Sequence, residues 1–501
     1  MKKKLSKNQS LVNTYGAEIE KPVANLKTGQ VHGVSQDYFN FLAYMAKKRK
    51  DEFKYHFSDI KPKVKLGVAS NTLGEQGLDN AFNLLETSLP YQTNLRKLYQ
   101  LMVLDLKTTQ KALTQENATM INMAIHPLGK TDLKSYQQYV APKGLYQYLK
   151  YRNWCHRAGI DAKAQNSPTT GVSVFQAVDA LSVILGFGSV FVGLFANSPI
   201  ENGQITGKKE TRSLIWSRMI KSSIFKNDNN SYQFPKKRFK TLKDYFIWMF
   251  GPNTTMWFVI HKDKNDYKTM GQLVLIDENP SMLEFLSQSK WQGTIFKTNK
   301  KVLVKPSLNH LELTQFANFA GARIRWAFDH QKADVASFLK AMLKNEVEDY
   351  FQKTAKFTYL EGRDPGANFP DQEILTAGEK IAKSVIISPS AIQTGLIKNL
   401  SQAVKLLNKY QWPVLGQLKQ EAIKHGLEGK VRNIKVYDLA CQVLQIAAIG
   451  LDQKEQWMLS YPWWVIKTEQ TGADRALKQL GLNSDRESIE KLVLSRKVIV
   501  P

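Results

Sequence analysis

Cysteine is almost absent: Cys155 and Cys441 are the only two in 501 residues. That excludes a disulfide framework and a cysteine-rich zinc site. The first residues, Met1 to Asn8, are basic but lack the apolar stretch of a secretory signal, so a reducing, cytoplasmic setting is expected. Acid is also scarce. The 44 Asp and Glu face 70 Lys and Arg, a formal net charge of +26. Such a surplus suits a polyanionic partner: nucleic acid, an anionic membrane surface or a phosphorylated ligand. The lysines are dispersed, however, with short clusters at Lys2–Lys4, Lys47–Lys50, Lys208–Lys209 and Lys300–Lys301, so no obligatory nucleic-acid partner is expected.

Long apolar runs are missing as well. Ala180–Ala196 carries no charge, but it is shorter than a typical spanning helix and has no basic flanks. It reads as a buried helix in a large core, with no transmembrane segment. Familiar site signatures are absent too. Gly203–Lys209 is one residue short of a P-loop, and no Ser or Thr follows Lys208. There is no dinucleotide fingerprint, HExxH, GxSxG or internal repeat.

What is present is a globular composition, 43% apolar and 11% aromatic, in a chain long enough for two or three domains. Phe357–Leu360 reads as a strand leading into Glu361-Gly362-Arg363-Asp364 and a Pro365-Gly366 turn. Alternate strand residues share a face, so Glu361 and Arg363 project together. A carboxylate beside a guanidinium can hold a metal ion and a transferring phosphoryl group; alone, it is equally a strand-end ion pair. A second pair lies far away. Glu18 and Glu20, at i and i+2, repel each other unless a cation intervenes. Magnesium suits them, because it shares its remaining positions with water and phosphate. The alternative is an exposed acidic strand edge.

Between these pairs, Glu86 is a lone acid in an apolar run over 81–90, a setting that calls for a partner or a cation. A run over 120–129 reads as a strand ending at His126-Pro127. Residues 167–176 read as a turn followed by a strand. Ala322–Arg325 carries Arg323 and Arg325 two apart, and Met256–Ile260 reads as another strand. Helical patterns cover 36–57, 93–118, 330–356 and the chain beyond about 372. Strands in the first two thirds followed by helices predict an α+β fold, with an α+β core over 10–371 and a helical region over 372–501 packed on it.

Taken in order, Gly16–Glu20 (GAEIE), Leu84–Pro90 (LLETSLP), Ala124–Gly129 (AIHPLG), Phe195–Pro199 (FANSP), Thr211–Trp216 (TRSLIW), Ala322–Arg325 (ARIR) and Tyr359–Asp364 (YLEGRD) resemble the glutamate–cysteine ligase family, in its plant, proteobacterial and actinobacterial branch. The resemblance implies a curved antiparallel sheet flanked by helices, like the catalytic domain of glutamine synthetase. It also implies ATP- and Mg2+-dependent joining of glutamate to cysteine, or to another amine, through an acyl phosphate. By that analogy Glu18, Glu20, Glu86 and Glu361 would be magnesium ligands, with His126 near the metal or phosphate. Arg363 and Arg323 or Arg325 would hold the γ-phosphoryl group. Arg212 would take the substrate carboxylate, with Glu86 and Asn197 in the substrate site. Two departures bear on the substrates: Val174 stands where the family has a polar residue, and about thirty residues are inserted between Arg325 and Tyr359. As a metal-site residue, Glu361 is expected to tolerate Glu361→Ala without unfolding. The different-class alternative is a basic polyanion-binding protein that keeps the fold without the activity.

Overall fold

β1, Tyr15–Asn25, is paired along its length by three other strands, and its sequence explains how both of its faces are used. Ala17, Ile19 and Val23 point to one side and are buried there, while Gly16, Glu18 and Glu20 point to the other. The computed structural model describes residues 12–159, 164–254, 256–257, 259–261, 272–481 and 484–501. The basic residues 1–8, the expected core start at residue 10, and Phe258 of the expected 256–260 strand lie outside the described residues.

β2 (Phe53–Phe57), β3 (Lys65–Ser70), β4 (Gly74–Leu78), β5 (Leu84–Ser88), β6 (Ala118–Met120) and β7 (Asn166–Gly171) come next in the chain. After them β8 (Ile200–Glu201) and β9 (Gln204–Ile205) form a small hairpin, and β10 (Val274–Ile276), β11 (Trp291–Ile295) and β12 (Lys301–Val304) a separate three-stranded sheet. β13 (Ala322–Phe328) and β14 (Ala355–Gly362) return to the main sheet. Its order is β13-β14-β7-β1-β5-β4-β3-β2, with β6 also beside β1, nine strands in all. Every pairing is antiparallel. The inserted residues between Arg325 and Tyr359 finish β13 and form the helices Val335–Lys344 and Val347–Thr354 before β14 begins.

Helices pack on the Ile19 side of this sheet. Leu95–Thr114 brings Asp105 to Lys21, whose Nζ donates to Asp105 Oδ2 at 2.6 Å and Thr87 Oγ1 at 2.7 Å. Gln76 Nε2 donates to Asp105 Oδ1 at 2.9 Å, which closes a water-free network. Ser388–Lys398 lies against β7 and β14, where Gln393 Nε2 donates to Pro168 O and Thr170 Oγ1, each at 3.1 Å.

Several expected elements move. The helix begun at Gln36 ends at Lys48, and Phe53–Phe57, which alternates aromatic and polar residues, is the edge strand β2 instead. The strand near 167–176 is Asn166–Gly171; Val174 already opens a helix, with Ser173 as its cap residue. The strand before His126 stops at Met120. Ala180–Ala196 is not one helix. Val174–Gly186 and Gly188–Phe195 meet at Phe187 with a 47° bend. A Cβ at position 188 would lie 2.4 Å from Asp364 Oδ2, so any larger residue would push the Asp364 side chain aside. No single described helix is long and apolar enough to cross a membrane; this bent pair qualifies by length and composition, but residues 180–196 are buried in the protein.

Removing one partner of a buried ion pair leaves an uncompensated charge, whereas removing both does not. Lys21→Met is therefore expected to lower unfolding free energy by about 3–5 kcal/mol in urea titrations. Lys21→Met with Asp105→Leu should recover most of that loss; a double variant as weak as the single one would contradict the assignment.

Candidate active site

Strand register collects the expected residues on the other face of the sheet. Arg323 is opposite Glu361, Glu361 opposite Thr169, and Thr169 opposite Gly16. One pleat along, Ser167, Glu18, Ser88 and Glu75 form the next row. In the row after that Glu20 is directly opposite Glu86. Five acids, Glu18, Glu20, Glu75, Glu86 and Glu361, thus share one surface with Arg323 and Arg325, and Arg363 follows just after β14.

Glu361 organises the arginine side. Arg323 grips it in two places, Nε to Oε2 at 2.9 Å and Nη2 to Oε1 at 2.8 Å, and Arg363 Nη1 donates to Oε1 at 2.8 Å. Burial alone would raise the Glu361 pKa, but Arg323, Arg363 and Arg325 overcome it and pull the carboxyl down to about 2. Arg323 spends its remaining donors on the carbonyls of Phe316 and Asn318. Arg325 does not. Its guanidinium carbon sits 3.5 Å from the centre of the Phe316 ring, and its Nε and Nη1 are buried without a partner, as is Arg363 Nε. Unmet buried donors of that kind fit an anion.

The acidic side is the complement. Burial and the neighbouring Glu361 raise the Glu18 pKa, against the pull of the three arginines. Ser88 Oγ lies 3.4 Å from both Glu18 Oε1 and Glu86 Oε1. Glu20 Oε2 accepts from the Gln165 amide at 3.1 Å. Opposed carboxylates such as Glu20 and Glu86 are the donor type that magnesium takes, one or two at a time beside phosphate oxygens. Both oxygens of Glu361 are engaged by two arginines. Among the described residues, no group of three or more His, Cys, Asp and Glu side chains is placed to hold a metal ion by itself.

Arg212 lies at the Glu20 end. It donates to Glu210 Oε1 at 2.8 Å, the Asp364 carbonyl at 2.7 Å and Gln165 Oε1 at 3.3 Å. Gln165 therefore links it to Glu20. Asn197 is fully buried; its Nδ2 donates to Asn122 Oδ1 at 3.0 Å and Ala367 O at 2.9 Å, so it serves as a clamp between loops. His126 is buried in the loop after β6, and its Nδ1 accepts from the Leu128 amide at 3.2 Å. Burial pushes its pKa down to about 3.

Glu210, Gln165 and Phe316 were not expected. Glu210 had a signal, since it stands two residues before Arg212 as Glu361 does before Arg363. Gln165 and Phe316 had none, because their roles come from tertiary placement.

A broad antiparallel sheet bearing carboxylates and guanidiniums on one face and helices on the other is a scaffold for handling small charged molecules. The chain belongs to glutamate-cysteine ligase family 2, whose sequence profile matches residues 15–273. The glutamate–cysteine ligase of Francisella tularensis, solved in complex with AMP, is 12% identical, with a TM-score of 0.50 over 98% of this chain and 90% of that one. A bifunctional glutathione synthetase from Pasteurella multocida is also 12% identical, with a TM-score of 0.46 over 96% of this chain and 52% of that one. This chain thus spans about half the length of the Pasteurella protein. No curated protein sequence matches it.

The His126 shift carries a sign. A histidine held neutral in the folded state favours unfolding wherever the unfolded chain takes up the proton. Its contribution is present above the ordinary value of about 6.5 and is lost as pH falls from there toward about 3. Melting temperature should therefore drop between pH 7 and pH 5, and His126→Asn should flatten that slope. An unchanged slope in the variant would show that His126 does not set it.

Proposed function

We propose that this chain is an ATP- and Mg2+-dependent ligase that joins the γ-carboxylate of glutamate to the amine of cysteine. The observation that carries the reading is the pair of buried, partly unsatisfied guanidiniums, Arg325 and Arg363, on the same face as Glu18, Glu20 and Glu86. Family membership supports the ligase class, and the AMP bound to the Francisella ligase supports a nucleotide site.

In this reading a glutamate carboxylate oxygen attacks the γ-phosphorus of ATP and the bond to the β-phosphate oxygen breaks. ADP leaves and an acyl phosphate forms. The amine then attacks the acyl carbon, inorganic phosphate departs, and the nitrogen loses a proton. Arg325 and Arg363 stabilise the charge on the transferring phosphoryl group. Arg323, already saturated, acts as a positioning residue that holds Glu361, and Glu361 in turn aims Arg363. Arg212 has its guanidinium anchored beside Glu20, where it would pair with a substrate carboxylate. Magnesium held by Glu18, Glu20 and Glu86 would neutralise phosphate charge. No protein nucleophile is required. We assign the ligase core to residues 10–371 and the helical region, whose Gln393 reaches the sheet, to residues 372–501.

The test is ADP release by the purified protein with ATP, magnesium and glutamate, with and without cysteine or a panel of other amines. Cysteine-dependent release is expected, and Arg325→Gln should lower it about 10²- to 10³-fold with the fold intact. Release with another amine alone would replace the product; none with any amine would refute the ligase reading. Glu361→Ala is a poor probe of chemistry, because it strands two buried guanidiniums and should cost about 3–5 kcal/mol of stability. Glu18→Gln, on the partly exposed side, is the better one.

A further inference from the structure

Away from the sheet face, two more arginines are buried with their donors unmet. Arg475 is 2% exposed and Arg496 1% exposed. Beyond the Tyr461 hydroxyl, none of the three guanidinium nitrogens of Arg475 has a hydrogen-bond partner, nor do Nε and Nη2 of Arg496. Arg496 Nη1 does reach Asp371 Oδ2, at 3.2 Å. That carboxylate is already shared, because Asn122 Nδ2 donates to Oδ2 at 2.7 Å and the Ile374 amide to Oδ1 at 2.9 Å. The neighbouring Tyr461 hydroxyl spends its proton on Asn368 Oδ1, at 2.8 Å.

What faces both guanidiniums is one oxygen of Glu373. Its Oε2 lies 3.3 Å from Arg475 Nε and 3.6 Å from Arg496 Nη2. Both distances are long for a charge-assisted hydrogen bond, which runs at about 2.7–2.9 Å. The Glu373 side chain is 50% exposed, so water competes for it while both arginines stay dry. The Trp464 ring, 4.9 Å from the Arg475 guanidinium carbon, closes another side. The two cations also repel each other, which adds to the cost of burial at Arg496.

We propose that Arg475 and Arg496 form a binding site for a small oxyanion, phosphate or carboxylate, in which Glu373 holds the place until the ligand arrives. A free oxyanion presents two or more oxygens to two converging guanidiniums, where Glu373 presents one at poor distance. Entry is along the exposed flank of Glu373. The site is separate from the proposed nucleotide site, and its test is designed to be independent of that reading.

The experiment uses the full chain carrying Arg325→Gln and Arg363→Gln, so that phosphate binding by these two arginines on the sheet face does not contribute. Inorganic phosphate and acetate are each titrated at constant ionic strength against chloride, with calorimetric binding and melting temperature as readouts. Saturable binding is expected, with a rise of about 1–3 °C absent in chloride. Phosphate alone, or acetate alone, binding in this way identifies which oxyanion the site takes. Glu373→Gln, a surface change, should tighten binding roughly fivefold by removing the competing carboxylate. Arg496→Gln should abolish it. Identical behaviour in phosphate, acetate and chloride would overturn the site, as would binding that Glu373→Gln fails to tighten.

Discussion

Glu361 is a carboxylate almost without water, and a charge in that position is tolerable only if its neighbours carry the opposite sign. Arg323 supplies most of that compensation through two parallel contacts, and Arg363 adds a third. The rest of the polar face follows from this one knot. Because Arg323 is saturated by Glu361 and two carbonyls, it is fixed in place. Arg325, two residues further along the same strand, is stacked on Phe316 and has no such partners. One arginine is spent on structure and the next is left with donors to offer. Sequence spacing alone does not distinguish the two.

The second constraint is the period of two in β1. It places Glu18 and Glu20 on one side and Lys21 on the other, so that adjacent residues belong to different electrostatic worlds. On the helix side Lys21 and Asp105 neutralise each other with every contact satisfied. On the open side Glu20 faces Glu86 with like charge across the strand pair. A sheet whose only task was stability would not be built so asymmetrically, since directly opposed like charges are destabilising. That like-charge pair lies on the same face as the unmet arginines.

Much of this surface was legible in the sequence because it depends on local alternation. Glu18 with Glu20, Arg323 with Arg325 and Glu361 with Arg363 are each i, i+2 pairs, and each does share a face. What alternation does not give is register between strands. That Glu20 opposes Glu86, or that Glu361 lies between Arg323 and Thr169, is fixed by long-range pairing. The β7 strand was misplaced for a related reason. Its sequence, NSPTTG, has little of the branched and aromatic character of a strand, whereas the following VFQAVDALSVILG is apolar enough to suggest either element. β7 is a strand because β1 and β14 flank it and complete its ladder. The helix expected through residue 57 failed differently: Phe53, Tyr55 and Phe57 alternate, but the charged run before them masked the change of period. Asn197 was legible as an unusual polar residue after an apolar helix, yet its full burial belongs to tertiary structure.

The buried arginines put the same question at two places. A guanidinium cut off from water with donors unpaired costs free energy, and each unmet hydrogen bond adds about 1–3 kcal/mol. Arg323 and Arg152 show that this fold can give every nitrogen of a buried guanidinium a partner; Arg152 is held by Asp228 and the Tyr148 hydroxyl and packed between Phe225 and Trp257. Arg325, Arg363, Arg475 and Arg496 are therefore not products of a scaffold unable to do better. Their common feature is an incomplete set of acceptors around the donors they carry.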